Sequence, residues 1–128
     1  MTIPEIPERV LQFLAERIDT VPQLEAVLLL WENPQRQWSE EDLAARIYVS
    51  RQVAATILQA LHRQQLATAE SAPVRYRYNP QWDASGEVLP EVAATYRRHL
   101  VPIATFIHSR ASTAVREFAR AFDLKKDR

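Results

Sequence analysis

The amino-acid sequence predicts a mainly α fold, a winged helix-turn-helix with a short β-hairpin and additional N- and C-terminal helices. Three observations carry this. Between Trp38 and Tyr78, two stretches with helical periodicity follow one another across a turn of about four residues, each opened by a serine placed to cap it. The second stretch sets an apolar and a polar face on opposite sides. After it, residues alternate with strand periodicity around a short turn containing Pro73, the pattern of a hairpin.

The elements can be justified in chain order. From Pro4 to Ile18, the residues Val10, Leu11, Leu14 and Ile18 recur at helical spacing with Phe13 beside them, and Pro4 and Pro7 suit a first turn. Asp19-Thr20 offers an N-cap to a second helix, with Pro22 in its opening turn and Leu24, Val27, Leu28 and Trp31 at helical spacing. Leu29 and Leu30 make this helix apolar nearly all round, which predicts a central position, and Asn33-Pro34 ends it. The third helix starts at Ser39, where Asp42 completes a variant capping box and Glu40 and Glu41 put negative charge at the positive end of the helix dipole. Leu43 and Ile47 form its buried line.

After a turn around Tyr48-Val49, which lacks the common glycine, Ser50 caps a helix running from Arg51 to Gln65. Val53, Ala54, Ile57, Leu58 and Leu61 gather on one face of it. Gln52, Thr56, Gln59 and Arg63 fall within about 60° of one another on the opposite face. Two strands follow, Thr68 to Glu70 and Val74 to Tyr78; Val74, Tyr76 and Tyr78 share one face and Arg75 and Arg77 the other. A loop over 81–86 holds the only glycine. From Glu87, the residues Leu89, Val92, Ala93, Tyr96, Leu100, Ile103 and Ile107 mark a long helix that Pro102 should kink or break. Ser112 can cap a last helix carrying Val115, Phe118, Ala119 and Phe122.

A length of 128 residues with 47% apolar residues predicts one domain, with support helices over 1–37, the helix-turn-helix and wing over 38–80, and C-terminal helices over 87–124. There is no transmembrane-length apolar run, and Met1 to Glu5 do not form a leader, so a cytoplasmic protein is expected. Without cysteine there is no disulfide, thiolate metal site or cysteine nucleophile. Sixteen basic residues balance sixteen acidic ones, yet the charge is uneven. Between Arg46 and Tyr78 stand five arginines (46, 51, 63, 75 and 77) and one acid, Glu70, whereas the first 38 residues hold six acids and three bases.

The chemistry concentrates on that basic stretch. Gln52, Thr56 and Gln59 are side chains able to hydrogen-bond base edges in a major groove, Ser50 and Arg51 stand at the end of the helix that enters it, and Arg63 is placed for the backbone. Arg75 and Arg77 point the same way along one strand and can follow a phosphate backbone or enter a minor groove. An enzymatic reading has little to stand on. His62, His99 and His108 offer no ligand set, since the last two point about 180° apart if they share one helix. Glu40, Glu41 and Asp42 are explained as a helix start, and no glycine-rich phosphate loop or nucleophile elbow occurs. No catalytic residue, metal or other cofactor is therefore expected.

The order of elements, two helices, a helix-turn-helix from Ser39 to Leu66, a hairpin to Tyr78, then terminal helices, resembles the winged-helix transcriptional regulators of the multiple-antibiotic-resistance (MarR-like) type. The likeness is one of pattern over most of the chain, with a shorter and less basic wing. It implies a dimeric bacterial-type regulator that binds double-stranded DNA and pairs as a homodimer through its terminal helices. The apolar residues Tyr96, Leu100, Ile103, Phe106, Ile107, Phe118 and Phe122 suit such an interface. A second reading is also open: zero net charge and an acidic wing tip fit a winged helix that binds a protein partner without DNA.

Overall fold

The computed structural model describes residues 6–71 and 73–110. Helices α1 (Glu8–Arg17), α2 (Val21–Glu32), α3 (Glu40–Ile47) and α4 (Arg51–Arg63) lead into strands β1 (Ala67–Glu70) and β2 (Arg75–Tyr78). A 3-10 turn at Pro80–Trp82 and helix α5 (Val88–Arg98) follow, then a helical segment, α6, over 100–110. The winged helix-turn-helix expected from the sequence is present.

The helix starts are local chemistry. Thr20, Ser39 and Ser50 each turn a side-chain oxygen back to accept a backbone N–H three residues on, from Gln23, Asp42 and Val53 respectively. At Ser39 the capping box is complete, because the Asp42 carboxylate also accepts the Ser39 N–H. That bond, with the Ser39 hydroxyl and the charges of Arg36 and Arg75 behind it, holds the Asp42 carboxyl below its ordinary value against the opposing effect of burial. The first helix starts later than proline placement alone indicates: Pro7 is its N-cap, and Glu8 its first residue.

Helix α2 is central, as its all-round apolar character predicts. Leu24, Ala26, Val27, Leu28 and Leu30 are buried, and the helix packs against α3, α4, α5 and β2. Its buried Gln23 is satisfied by the Asp19 N–H and the Arg17 carbonyl. On α4, Ala54, Ile57, Leu58 and Leu61 join the same core, but Val53 does not: it is 43% exposed at the outer edge of the helix. This corrects the five-residue apolar face read from periodicity, because Val53 lines an open groove between α4 and the start of α2 instead of packing in the core.

Helices α3 and α4 both end with a backbone reversal made without glycine. Tyr48 and Gln65 adopt positive φ, 58° and 63°. In each case the next residue's N–H reaches back five positions, Val49 to the Ala44 carbonyl and Leu66 to the Leu61 carbonyl, the six-to-one bond of a Schellman motif. Leu61 and Leu66 are fully buried, supplying the apolar contact that motif favours.

The hairpin pairs Ala67 with Tyr78, Thr68 with Arg77, Ala69 with Tyr76 and Glu70 with Arg75. Tyr76 and Tyr78 face the core; Val74, which shares their side in the sequence pattern, lies beyond the strand and is half exposed. Trp38 adds a bridge that the sequence does not announce. Its N–H donates to the Tyr76 carbonyl at 2.7 Å and its carbonyl accepts the Tyr76 N–H at 2.9 Å, so the residue before the α3 N-cap forms an isolated bridge beside the hairpin. The Trp38 ring is fully buried, with the Arg36 guanidinium 3.9 Å from its centroid and Arg46 at 5.6 Å.

The C-terminal helical stretch breaks at His99, outside helical backbone, rather than at Pro102. The proline ring clashes with the carbonyl four residues earlier, that of Arg98, so the interruption falls there and Pro102 sits in the first turn of the next segment. His99 and His108 therefore do not share one helix, and the geometric argument based on a continuous helix lapses. Arg110 ties α6 to α1 by donating to the carbonyls of Leu14 and Ile18, while Arg9 ties α1 to α5 through Glu87 and Glu91. The helix expected after Ser112 lies outside the described residues.

Candidate nucleic-acid interface

Helix α4 presents its polar stripe to solvent. Ser50, Arg51, Gln52, Thr56, Gln59 and Arg63 are all exposed, while the opposite face is locked into the core by Ala54, Ile57, Leu58 and Leu61. Two of the six have a local role. The Ser50 hydroxyl caps the helix by accepting the Val53 N–H at 3.1 Å, and the Thr56 hydroxyl donates to the Gln52 carbonyl at 3.1 Å. Gln52 and Gln59 keep their side-chain amides available.

The ends of α4 are held differently. At the C-terminal end, Arg17 of α1 donates to the Gln64 carbonyl at 3.0 Å, and the Asn79 amide donates to the Gln65 carbonyl at 2.8 Å, joining helix end to wing end. Below this junction, Trp82 donates its indole N–H to the Tyr78 hydroxyl at 2.9 Å and stacks near Phe13 of α1 at 5.5 Å. Burial raises the Tyr78 phenol above its ordinary value, partly offset by that donated bond. At the N-terminal end the helix is set by the Ser50 cap, the Tyr48 turn and the exposed pairing of Arg51 with Glu40 of α3.

The cations do not converge on a point. Arg51 and Arg63 stand twelve residues apart on one helix, about 18 Å. Arg63, with His62 and Gln65, borders a cleft of roughly 600 Å³ whose far wall is Ala67, Thr68 and Ala69 of the wing. A second groove of similar volume runs between α4 and the start of α2, lined by Pro22, Val53, Ile57 and Ala60 with Gln52, Thr56 and Arg63 at its rim. Such an arrangement suits an extended, repeating ligand better than a single small anion.

Several of these charges already have partners. Arg51 lies 3.3 Å from a Glu40 oxygen and 3.7 Å from Glu41. Arg77 lies 3.0 Å from Glu70, which also accepts the Gln37 amide at 2.9 Å. Arg75 and Arg77 are half-buried, and Arg75 donates to the Val74 carbonyl at 2.9 Å. The basic stretch is thus less unbalanced in space than along the chain, because acids just upstream of it fold back onto Arg51. Exposed pairs of this kind contribute only about 0–1 kcal/mol, so they do not withdraw the guanidinium groups from a competing anion.

Sequence reasoning missed two residues here. Asn79, read as a strand end, locks the wing to α4; Tyr48, noted only for the missing glycine, is the most exposed large apolar residue described. Among the described residues there is no group of three or more potential metal ligands, and no helix is long and apolar enough to cross a membrane.

No protein-family model and no curated protein matches the sequence. Among solved structures, the crystal structure of the heme sensor protein PefR from Streptococcus agalactiae in complex with heme is similar, with a TM-score of 0.52 and 15% identity over 88% of this chain and 80% of that chain. At that identity the likeness is one of fold.

Proposed function

We propose that this chain is a DNA-binding transcriptional regulator of winged-helix type, with recognition helix 50–65 in the major groove and hairpin 67–78 as the wing. The observation that carries the reading is the exposed stripe Gln52, Thr56, Gln59 and Arg63, with exposed Arg51 at the helix start, on a helix whose other face is anchored in the core. Glutamine and threonine read base edges; arginines spaced along about 18 Å of helix, continued by Arg75 and Arg77, track phosphates. The element order is that of the MarR-like regulators, and the fold likeness to a sensor protein agrees with a regulatory role. In keeping with that order we propose a homodimer paired through the terminal helices, for which Leu100 and Val101, exposed at the start of α6, supply apolar surface. We assign no cofactor.

The test is duplex binding as a function of salt. Four or so phosphate contacts give a log–log slope of about −0.9 per contact, and the double variant Arg75→Glu, Arg77→Glu, still folded, loses most of that binding. Wild-type protein without salt-sensitive binding to genomic fragments would refute the proposal. A second reading has its own observation: Arg51 and Arg77 are both paired with carboxylates on a chain of zero net charge. That pairing fits a winged helix used to bind a protein partner, and a pull-down that recovers only further copies of the chain would count against it.

A further inference from the structure

Tyr48 is the residue of the helix-turn-helix whose backbone serves the turn while its exposed ring has no structural role. It ends α3 in the left-handed region, φ 58° and ψ 49°, where an L side chain with a bulky Cβ substituent is disfavoured and glycine or asparagine is the usual occupant. Its ring is 93% exposed. The Schellman bond it accompanies is made entirely by backbone, Val49 N–H to the Ala44 carbonyl at 3.2 Å, and does not use the tyrosine side chain. Among the described residues, the Tyr48 hydroxyl and ring show no hydrogen bond and no ring contact. The folded chain therefore carries a strained, solvated aromatic where a glycine would serve the turn better. Backbone strain of this type, held by well-formed neighbours, is a recurrent mark of a binding residue.

Its location indicates the ligand. Tyr48 stands two residues before Ser50 and three before Arg51, at the end of α4 that carries Gln52 and the exposed Val53. A helix that enters a major groove by this end brings the turn against the flanking sugar-phosphate strand, where a phenol can donate to a phosphate oxygen and lay its ring on the sugar.

We propose that Tyr48 is a DNA-backbone contact of the helix-turn-helix, held outward by its left-handed turn. This rests on the DNA-binding reading given above and adds a neutral contact to the arginines. Because tyrosine displaces no counterion, its contribution differs in kind from theirs: it raises affinity without steepening the salt dependence.

The experiment measures thermal stability and binding of a labelled mixed-sequence duplex for wild type, Tyr48→Gly, Tyr48→Asn and Tyr48→Phe across a salt series. Glycine and asparagine tolerate the left-handed backbone, so both variants fold and melt at or above the wild-type temperature. Both bind the duplex more than about fivefold more weakly, the hydroxyl's hydrogen bond accounting for about fivefold and the ring contact for the remainder, with the log–log salt slope unchanged. Tyr48→Phe keeps the ring and loses only the hydroxyl's share. If wild type binds and the glycine and asparagine variants bind equally well, Tyr48 is not a contact and this inference is overturned while the DNA reading stands. If wild type does not bind the duplex at any salt concentration, the DNA reading falls and takes this inference with it.

Discussion

The helix-turn-helix and the wing lie side by side in the chain but are stabilised in opposite ways. Helix α4 puts Ala54, Ile57, Leu58 and Leu61 into the core, and its ends are closed by a serine cap and a Schellman turn, so its outward residues are free to vary without cost to the fold. The wing is a two-stranded ribbon of four residues a side, too small to be stable alone. It is held by the two tyrosines, the Trp38 bridge, the Asn79 lock and the Glu70 pairs with Arg77 and Gln37. In the helix, apolar residues hold the structure and polar ones are available to a ligand. In the wing, the charged residues proposed to meet a ligand also hold the structure.

Trp38 is where the comparison can be broken most severely. Trp38→Ala should cost about 4 kcal/mol, as for other large buried aromatics, and release the wing before α4. Denaturant unfolding together with hydrogen exchange at Tyr76 and Arg77 checks it; uniform loss of protection in both regions would mean that they form one cooperative unit. Trp38→Phe should be much milder, because the indole N–H has no acceptor among the described residues and its removal leaves no polar group stranded.

The next effect is smaller and belongs to the helix-turn-helix. Ser39→Ala removes one half of the capping box and should cost about 1 kcal/mol. Its partner Asp42 sharpens the test through pH. The Asp42 carboxyl is depressed in the folded chain by the Ser39 N–H, so its stabilising effect is complete above the unfolded value near 3.9 and disappears as pH falls through the folded value. Asp42→Asn should therefore flatten the acid limb of a stability–pH curve below about pH 4 and leave the neutral region's slope unchanged. An unaltered acid limb would show that the capping box does not titrate with folding.

The smallest expected effect on stability tests whether the wing's two purposes are separable. Glu70→Gln should shift stability by less than about 1 kcal/mol, since the pair is on the surface. It removes the carboxylate that competes with phosphate for Arg77, however, and should tighten duplex binding severalfold at low salt. An affinity identical to wild type would place Arg77 against something other than phosphate.

What could be read from the sequence was whatever chemistry is local. The three side-chain caps rest on residues three apart, the buried faces of α2 and α4 on residues three and four apart, and the Tyr76/Tyr78 alternation on residues two apart. These interactions form whatever the rest of the chain does, so periodicity exposes them. The polar stripe of α4 was legible for the same reason, as the complement of the core face.

Tertiary structure alone decided the rest. Trp38 meets Tyr76 across 38 residues, Asn79 meets the Gln65 carbonyl after a whole hairpin, and Arg51 finds Glu40 and Glu41 on the preceding helix; none of these has a signature in sequence spacing. Val53 and Val74 sit on apolar faces by periodicity but are exposed, Val53 beside an open groove against α2 and Val74 beyond the end of its strand. Tyr48 and Gln65 take a glycine-like backbone because α3 and α4 must reverse direction where the core requires it. Local hydrogen bonds and periodic faces are properties of a segment. Coverage, charge pairing and turn strain are properties of what the folded chain brings against it.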